Sequence, residues 1–306
     1  MEDLGLSQAM KQIILLLSFY SSLLLLGACS QVNLRIPFRS EQPEESESSL
    51  IDILEPDDNL SEPQSNPKVV ASGKSLPRQV VLESSDLPAL SEADLQQCRQ
   101  RLGLAEEKNA MADPTNYGDR HTVDQWGRRL VSTPQIIVLH ETVLNEEATI
   151  NLFQTPHPND NDQVSYHMLI GEDGSRLRIV PDLNRAYGAG MSAFGDVTQR
   201  TKAGSVGSIN NIALHLSLVT PPDGRGNTSS HSGYTDAQYQ SLASQVLLWQ
   251  AKFGIPFTRL TTHAAVDRSR SRYDPRSFRW DFFQPYYQEA ANTCGLSYLD
   301  NQEAGL

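Results

Sequence analysis

Residues 212–219 read IALHLSLV. A run this short and apolar fits the middle of a buried β-strand. It carries one histidine, His215, and a polar ring in such a strand costs free energy unless a partner satisfies it. Successive side chains of a strand point to opposite faces. Ile212, Leu214, Leu216 and Leu218 then share one face, and Ala213, His215 and Ser217 share the other. The first face suits a core. The second is small and polar, as expected beneath a site.

Further segments alternate in type. QIIVLHETV (135–143) reads as a strand with Val138, His140 and Thr142 on one face, and NEEATINLFQ (145–154) as a helix. VSYHMLIGEDGSRLRIVPD (164–182) reads as two strands around a Glu-Asp-Gly turn, a hairpin signal. TDAQYQSLASQVLLWQAKFG (235–254) has a Thr or Asp cap, apolar spacing of three and four, and a terminal Gly, which predicts a helix. FTRLTTHAAV (257–266) reads as a strand, and SEADLQQCRQRLGL (91–104) as a short Ser-capped helix. Strands mixed with helices predict an α/β fold over 91–300: a single domain with a central mixed β-sheet flanked by helices.

The N-terminal part reads differently. Ile13 to Leu26 is apolar apart from Ser and Tyr, and it ends in LGACS. It is short for a bilayer span and suits a signal-peptide core. Glu2 and Asp3 do not suit a signal, whereas a start at Met10, followed by Lys11, does. Leu26-Gly27-Ala28-Cys29 resembles a bacterial lipoprotein box, with Cys29 as the acylated residue; the other reading is an ordinary signal peptide with an incidental Cys. Residues 1–29 are thus expected to be a lipoprotein signal peptide. Residues 30–90, rich in Ser, Glu, Pro and Asn, are expected to be an acidic disordered linker that holds the domain off the membrane. Ser30 is not the Asp that retains some lipoproteins at the inner membrane, so an outer-membrane anchor facing the periplasm is expected.

Of 37 acidic residues, nine lie in 41–67, where no Lys or Arg occurs. The remaining 28 acids and 25 bases nearly balance. Clustered basic charge of the kind that binds phosphate is missing, which argues against nucleic acid as a partner. Apart from Cys29 the chain has Cys98 and Cys294. In an oxidising compartment they are placed to form one disulfide closing most of the domain, on the order of 4 kcal/mol if unstrained. Two free thiols are the alternative.

Three polar residues lie at or near the ends of the apolar segments. They are His140 in IIVLHETV, His263 ending RLTTH, and Asp274 in RYDP, eleven residues later. Two His and a carboxylate, with a fourth position for water, make a catalytic zinc set. Taken singly, each His reads more readily as a hydrogen-bonded structural residue than as a ligand. His263 and Asp274 are too far apart for one helix face, so the loop between them would have to fold back. His167 alternates to the face opposite Tyr166 and reads as packing, whereas His121, His157 and His231 read as solvated. TPPDGRGNTSSHSG (220–233) reads as a flexible insert, either the rim of a groove or a plain surface loop.

IIVLHET, VSYHMLIGEDG, SINNIALHLSLV, YTDAQY and LTTHAAVDRSRSRYDP occur in the order seen in the type-2 N-acetylmuramoyl-L-alanine amidases. That family includes AmpD-like enzymes, phage amidases and peptidoglycan recognition proteins. The resemblance covers about 130–280. It implies a zinc hydrolase that cuts the amide between N-acetylmuramic acid and L-alanine of the stem peptide. The Zn²⁺ ligands would fall on His140, His263 and Asp274. Tyr166 matches a tyrosine that some members place beside the metal. Arg272 stands where many members have Lys, and keeps the charge that stabilises an oxyanion. The general-base glutamate of the AmpD-like branch falls on His215, and imidazole suits that work near pH 7. Gly188, in RAYGAG, replaces a His of many relatives. The expected partners are peptidoglycan or muropeptides and, through the lipid anchor, the membrane; a monomer is expected. The competing expectation is a non-catalytic peptidoglycan-binding lipoprotein on the same fold, against which stands the complete ligand set.

Overall fold

The five predicted strands and a short one at 108–109, which the sequence did not announce, assemble into one six-stranded mixed sheet. The computed structural model describes residues 76–299 apart from Asn227. Strands β1 (Lys108–Asn109), β3 (Ile136–Glu141), β4 (Met168–Ile170), β5 (Arg176–Arg178), β7 (Ala213–Leu218) and β8 (Leu260–Thr262) lie in the order β1-β5-β4-β7-β3-β8. Only the β4–β5 hairpin is antiparallel; the other pairs run parallel. Strands β2 (Tyr117–Gly118) and β6 (Arg185–Ala186) form a separate antiparallel ribbon.

Helices α1 (Glu92–Arg101), α2 (Glu146–Gln154) and α3 (Asp236–Phe253) start at Ser91, Asn145 and Thr235. Each cap side chain accepts a backbone N–H that the helix leaves without a partner. At Thr235 the device is reciprocal, because Gln238 reaches back to the cap. Gly254 ends α3 with φ 64°, a left-handed turn that glycine adopts without strain.

Strand alternation holds for Leu214, Leu216 and Leu218, whereas Ile212, expected beside them, precedes the strand and packs with Val138 and Ala213 on the opposite side. Ile137, Leu139, Leu214, Leu216 and Leu218 form one face, packed on Leu242, Val246 and Trp249 of α3 and on Phe283 and Tyr287 of α5 (Trp280–Cys294). Ile136, Val138 and Ala213 lie on the other face, under Ala189, Val197 and Ile209.

Three expectations change. The predicted strand over 257–266 is regular only at Leu260–Thr262. The Thr262 hydroxyl accepts from the Ala265 N–H and turns the chain into a one-turn helix, α4 (His263–Val266). Helix α5 was not anticipated; Pro285 lies inside it and breaks the usual helical signature. The linker expected to run to residue 90 ends sooner. Leu82, Leu87 and Leu90 pack on the domain, Leu90 N–H donates to Ala251 O at 2.8 Å, and Gln79 Nε2 donates to Arg129 O at 2.9 Å. These leucines exchange water for apolar neighbours, which ties residues 76–90 down.

Cys98 of α1 and Cys294 of α5 are bonded to each other, with Cα atoms 5.0 Å apart. The signal segment, the Met10 start, Cys29 and residues 30–75 of the linker lie outside the described residues. Among the described residues no helix is long and apolar enough to cross a membrane.

Candidate metal centre

His140 is the fifth residue of β3, and its ring lies on the sheet face opposite α3. On one side of β3, β8 delivers His263 as the first residue of α4. The chain then folds back, so that Ala264 N–H donates to Asp274 O at 3.0 Å. Asp267 organises that return. Burial raises its carboxyl, but hydrogen bonds from Ser269, Arg272 and Ser271 pull it down to about 2.

The geometry brings together the three residues named from the sequence. His140 Nδ1 lies 3.2 Å from Asp274 Oδ2, and His263 Nδ1 lies 3.0 Å from Asp274 Oδ1. One donor atom from each lies within 4.8 Å of the others, and all three residues are buried. Burial pushes the His140 imidazole down to about 4, so its neutral form holds at pH 7. Burial alone would raise the Asp274 carboxyl. Hydrogen bonds with His140 and His263 override it and hold the group below the usual carboxylate range. Two imidazoles and one carboxylate are the ligand types that zinc takes in hydrolytic sites, and the cluster fits that ion.

Tyr166 stacks on His140, with ring centroids 4.5 Å apart. Burial, helped by the Asp274 charge, pushes its phenol far above its ordinary value, so the hydroxyl stays protonated. Arg272 is exposed at the rim. Its charge is felt at both His140 and Tyr166.

His215, the expected general base, lies against His140. It is fully buried, and its Nδ1 lies 2.9 Å from His140 Nε2, the ring nitrogen that does not face Asp274. Strand register explains this. His215 pairs with Val138 of β3, two residues before His140, which brings it alongside the ligand strand. Alternation identified its face but not which nitrogen of His140 it meets.

The sequence reading missed a second buried cluster. Glu141 adjoins His140, and its side chain is wholly buried. Arg276 binds it through Nε at 2.5 Å and through its own backbone N–H at 3.0 Å. Thr220 Oγ1, His231 Nε2 and Tyr234 Oη reach Glu141 Oε2 at 3.2, 3.1 and 3.3 Å. Arg276 also donates to Gly224 O and Thr228 O, so the 220–233 insert is pinned rather than loose. His231, expected in solvent, is buried in this network, because Glu141 needs donors once it leaves water. His157 is likewise held, with Nδ1 2.9 Å from Asn116 Oδ1. A charged residue inside a strand was the available signal for Glu141; nothing local pointed to Arg276.

The profile of the N-acetylmuramoyl-L-alanine amidases, Amidase_2, matches residues 130–277, a span that holds all three candidate ligands. Among solved structures, the chain is similar to a selenomethionine derivative of AmpD. The identity is 23%, over 60% of this chain and 95% of that one, with a TM-score of 0.45. It is also similar to AmiD from E. coli, solved as a complex with its substrate anhydro-N-acetylmuramic acid-L-Ala-D-gamma-Glu-L-Lys. There the identity is 19%, over 59% and 66% of the two chains, with a TM-score of 0.40. The solution structure of the PlyG catalytic domain is similar at 17% identity, over 62% and 96%, with a TM-score of 0.39. A comparison with curated proteins found no match. By this match, the segment 130–277 belongs to the N-acetylmuramoyl-L-alanine amidase family.

Proposed function

We propose that the domain is a zinc-dependent peptidoglycan hydrolase that cuts the amide between N-acetylmuramic acid and the L-alanine of the stem peptide. The observation that carries this reading is the cluster of His140, His263 and Asp274 inside the matched span. Zinc held there would supply Lewis acidity and a water of lowered pKa. The chain's own groups account for the rest. Neutral His140 and ionised Asp274 keep their lone pairs available at working pH. Tyr166 fixes the plane of the His140 ring, and its protonated hydroxyl is a donor. Arg272 carries a permanent charge at the rim, suited to the negative charge that develops on the scissile carbonyl oxygen.

The test is digestion of purified peptidoglycan with and without a chelator, followed by labelling of new amino termini. The expected result is free L-alanine ends that vanish with chelator and return with zinc. Products without L-alanine ends sink the reading. We also propose that Cys29 is acylated and anchors the chain in the outer membrane, facing the periplasm. The support is the LGAC box after an apolar run. Cys29→Ser should release the protein from membranes, and unchanged fractionation would refute the anchor.

A further inference from the structure

We infer that His215 is a positioning residue for the ligand His140, and that Gly188 is the space that admits it. The inference rests on the zinc reading above and deepens it. Asp274 meets His140 at Nδ1, the side of the ring that faces the donor cluster. An imidazole binds a metal through a nitrogen lone pair, so the His140 proton belongs on Nε2. With the metal bound, that N–H would point at His215 Nδ1, which lies 2.9 Å from His140 Nε2. His215 must then carry its own proton on Nε2. A metal-bound histidine ordinarily gives its second nitrogen to a carboxylate, a carbonyl or a water, and this contact fixes tautomer and orientation. Here a second imidazole takes that place.

His215 is itself held. Its backbone N–H donates to His167 Nδ1 at 2.9 Å, and the two rings stack with centroids 5.7 Å apart. With Nδ1 accepting, the His167 proton sits on Nε2, which lies 3.2 Å from Asn184 O and donates to it. Three histidines are thereby ordered in series from the core to the ligand.

Gly188 supplies the steric half of the argument. A Cβ at this position would lie 2.7 Å from His215 Cγ, 2.8 Å from Nδ1 and 3.1 Å from Tyr166 Cδ1. The backbone of Gly188 lies outside the left-handed region, so space rather than conformation explains the glycine. Any side chain there would push the His215 ring away from His140. His215 is fully buried, which suits a group that acts through His140 rather than on substrate.

The experiment measures zinc affinity by competition with a chromophoric chelator on the whole domain, alongside thermal melts. His215→Leu removes the acceptor. His215→Asn places an amide oxygen near the position of Nδ1. Gly188→Ala adds no polar group and presses chiefly on the His215 ring, with a lesser contact at Tyr166. We expect His215→Leu and Gly188→Ala each to weaken zinc binding by roughly 10–100-fold, and His215→Asn to restore most of it. Wild-type affinity in His215→Leu overturns the inference, as does His215→Asn binding no better than His215→Leu. A variant that does not fold leaves the unaltered zinc-loaded protein as the arbiter. Its His140 proton should appear on Nε2 with slow exchange, and a proton on Nδ1 overturns the inference. If the wild type binds no zinc, or His263→Ala binds it equally well, the metal reading itself fails.

Discussion

The two faces of the central sheet are equally buried, yet they are built on different principles. On one face Ile137, Leu139, Leu214, Leu216 and Leu218 meet helices that satisfy their own backbone. These five side chains ask for no polar partner, and apolar fit suffices for them. On the other face Val138, His140, Ala213, His215 and Ser217 lie under loops. Loops bring unpaired N–H and C=O groups, and these are met one by one. Ala189 N–H donates to Asn210 Oδ1 at 2.9 Å, His121 N–H donates to Asn211 Oδ1, and buried Arg120 donates to the carbonyls of Asn211, Asp182 and Ala213. A helix-covered face therefore stores stability, and a loop-covered face can hold directional chemistry.

The sharpest way to break this contrast is to remove one member of the donor set. Asp274→Ala should abolish zinc binding and lower activity by more than about 100-fold, because losing even an outer partner of a ligand costs 10–100-fold. Its thermal midpoint in the metal-free state should change little. A large loss of metal-free stability would mean that the loop-covered face is structural after all.

The next effect concerns an exception. Glu141 follows Ile137 and Leu139 on the helix-facing row of β3, and it is the one charge there. Arg276 satisfies it from two directions. Arg276→Met would leave that carboxylate buried without its cation, at a cost of about 3–5 kcal/mol, read from urea unfolding. It should also free the 220–233 insert, seen as faster amide exchange at Gly224 and His231. Unchanged stability would show that His231, Tyr234 and Thr220 suffice alone.

A smaller, purely apolar change tests the helix-covered side. Leu216→Ala should cost about 2–5 kcal/mol by cavity formation, with activity per folded molecule unchanged at low temperature. Loss of activity without loss of stability would mean that the two faces are coupled.

What could be read from the sequence follows the same division. Periodic apolar residues announced β3, β7 and α3, and Thr235 and Gly254 marked the ends of α3. The order of the family's segments pointed to His140, His263 and Asp274, and the fold brings them together. What stayed hidden depends on contacts distant in sequence or on a single hydrogen bond. Arg276 meets Glu141 across 135 residues. The Thr262 hydroxyl decides where β8 stops. Pro285 disguises α5, whose buried Phe283, Tyr287, Ala290 and Ala291 keep helical spacing. The side of His140 that His215 meets depends on ring orientation, which alternation does not specify.

The mildest test uses the residue that touches both sides of the contrast. The His167 ring lies edge-on to Trp249 of α3 and is stacked on His215. Burial, reinforced by the Arg120 charge, pushes its imidazole down to about 3, against about 6.5 in an unfolded chain. Above pH 6.5 both states are neutral there, and His167 adds no pH dependence. Between 6.5 and 3 the unfolded chain binds a proton that the folded one refuses, so stability falls as pH drops. The slope is about 1.4 kcal/mol per pH unit. His140 and His215 are also depressed by burial and add to the raw curve, so the quantity to measure is a difference. His167→Gln keeps an acceptor for the His215 N–H and removes the titration. The gap in unfolding free energy between wild type and His167→Gln should stay constant from pH 8 to about 7. By about pH 5.5 it should shift towards the variant by roughly 1.4 kcal/mol. A pH-independent gap would mean that His167 takes up its proton in the fold as readily as in the unfolded chain, and with it would go the ordered series of histidines that runs to the donor cluster.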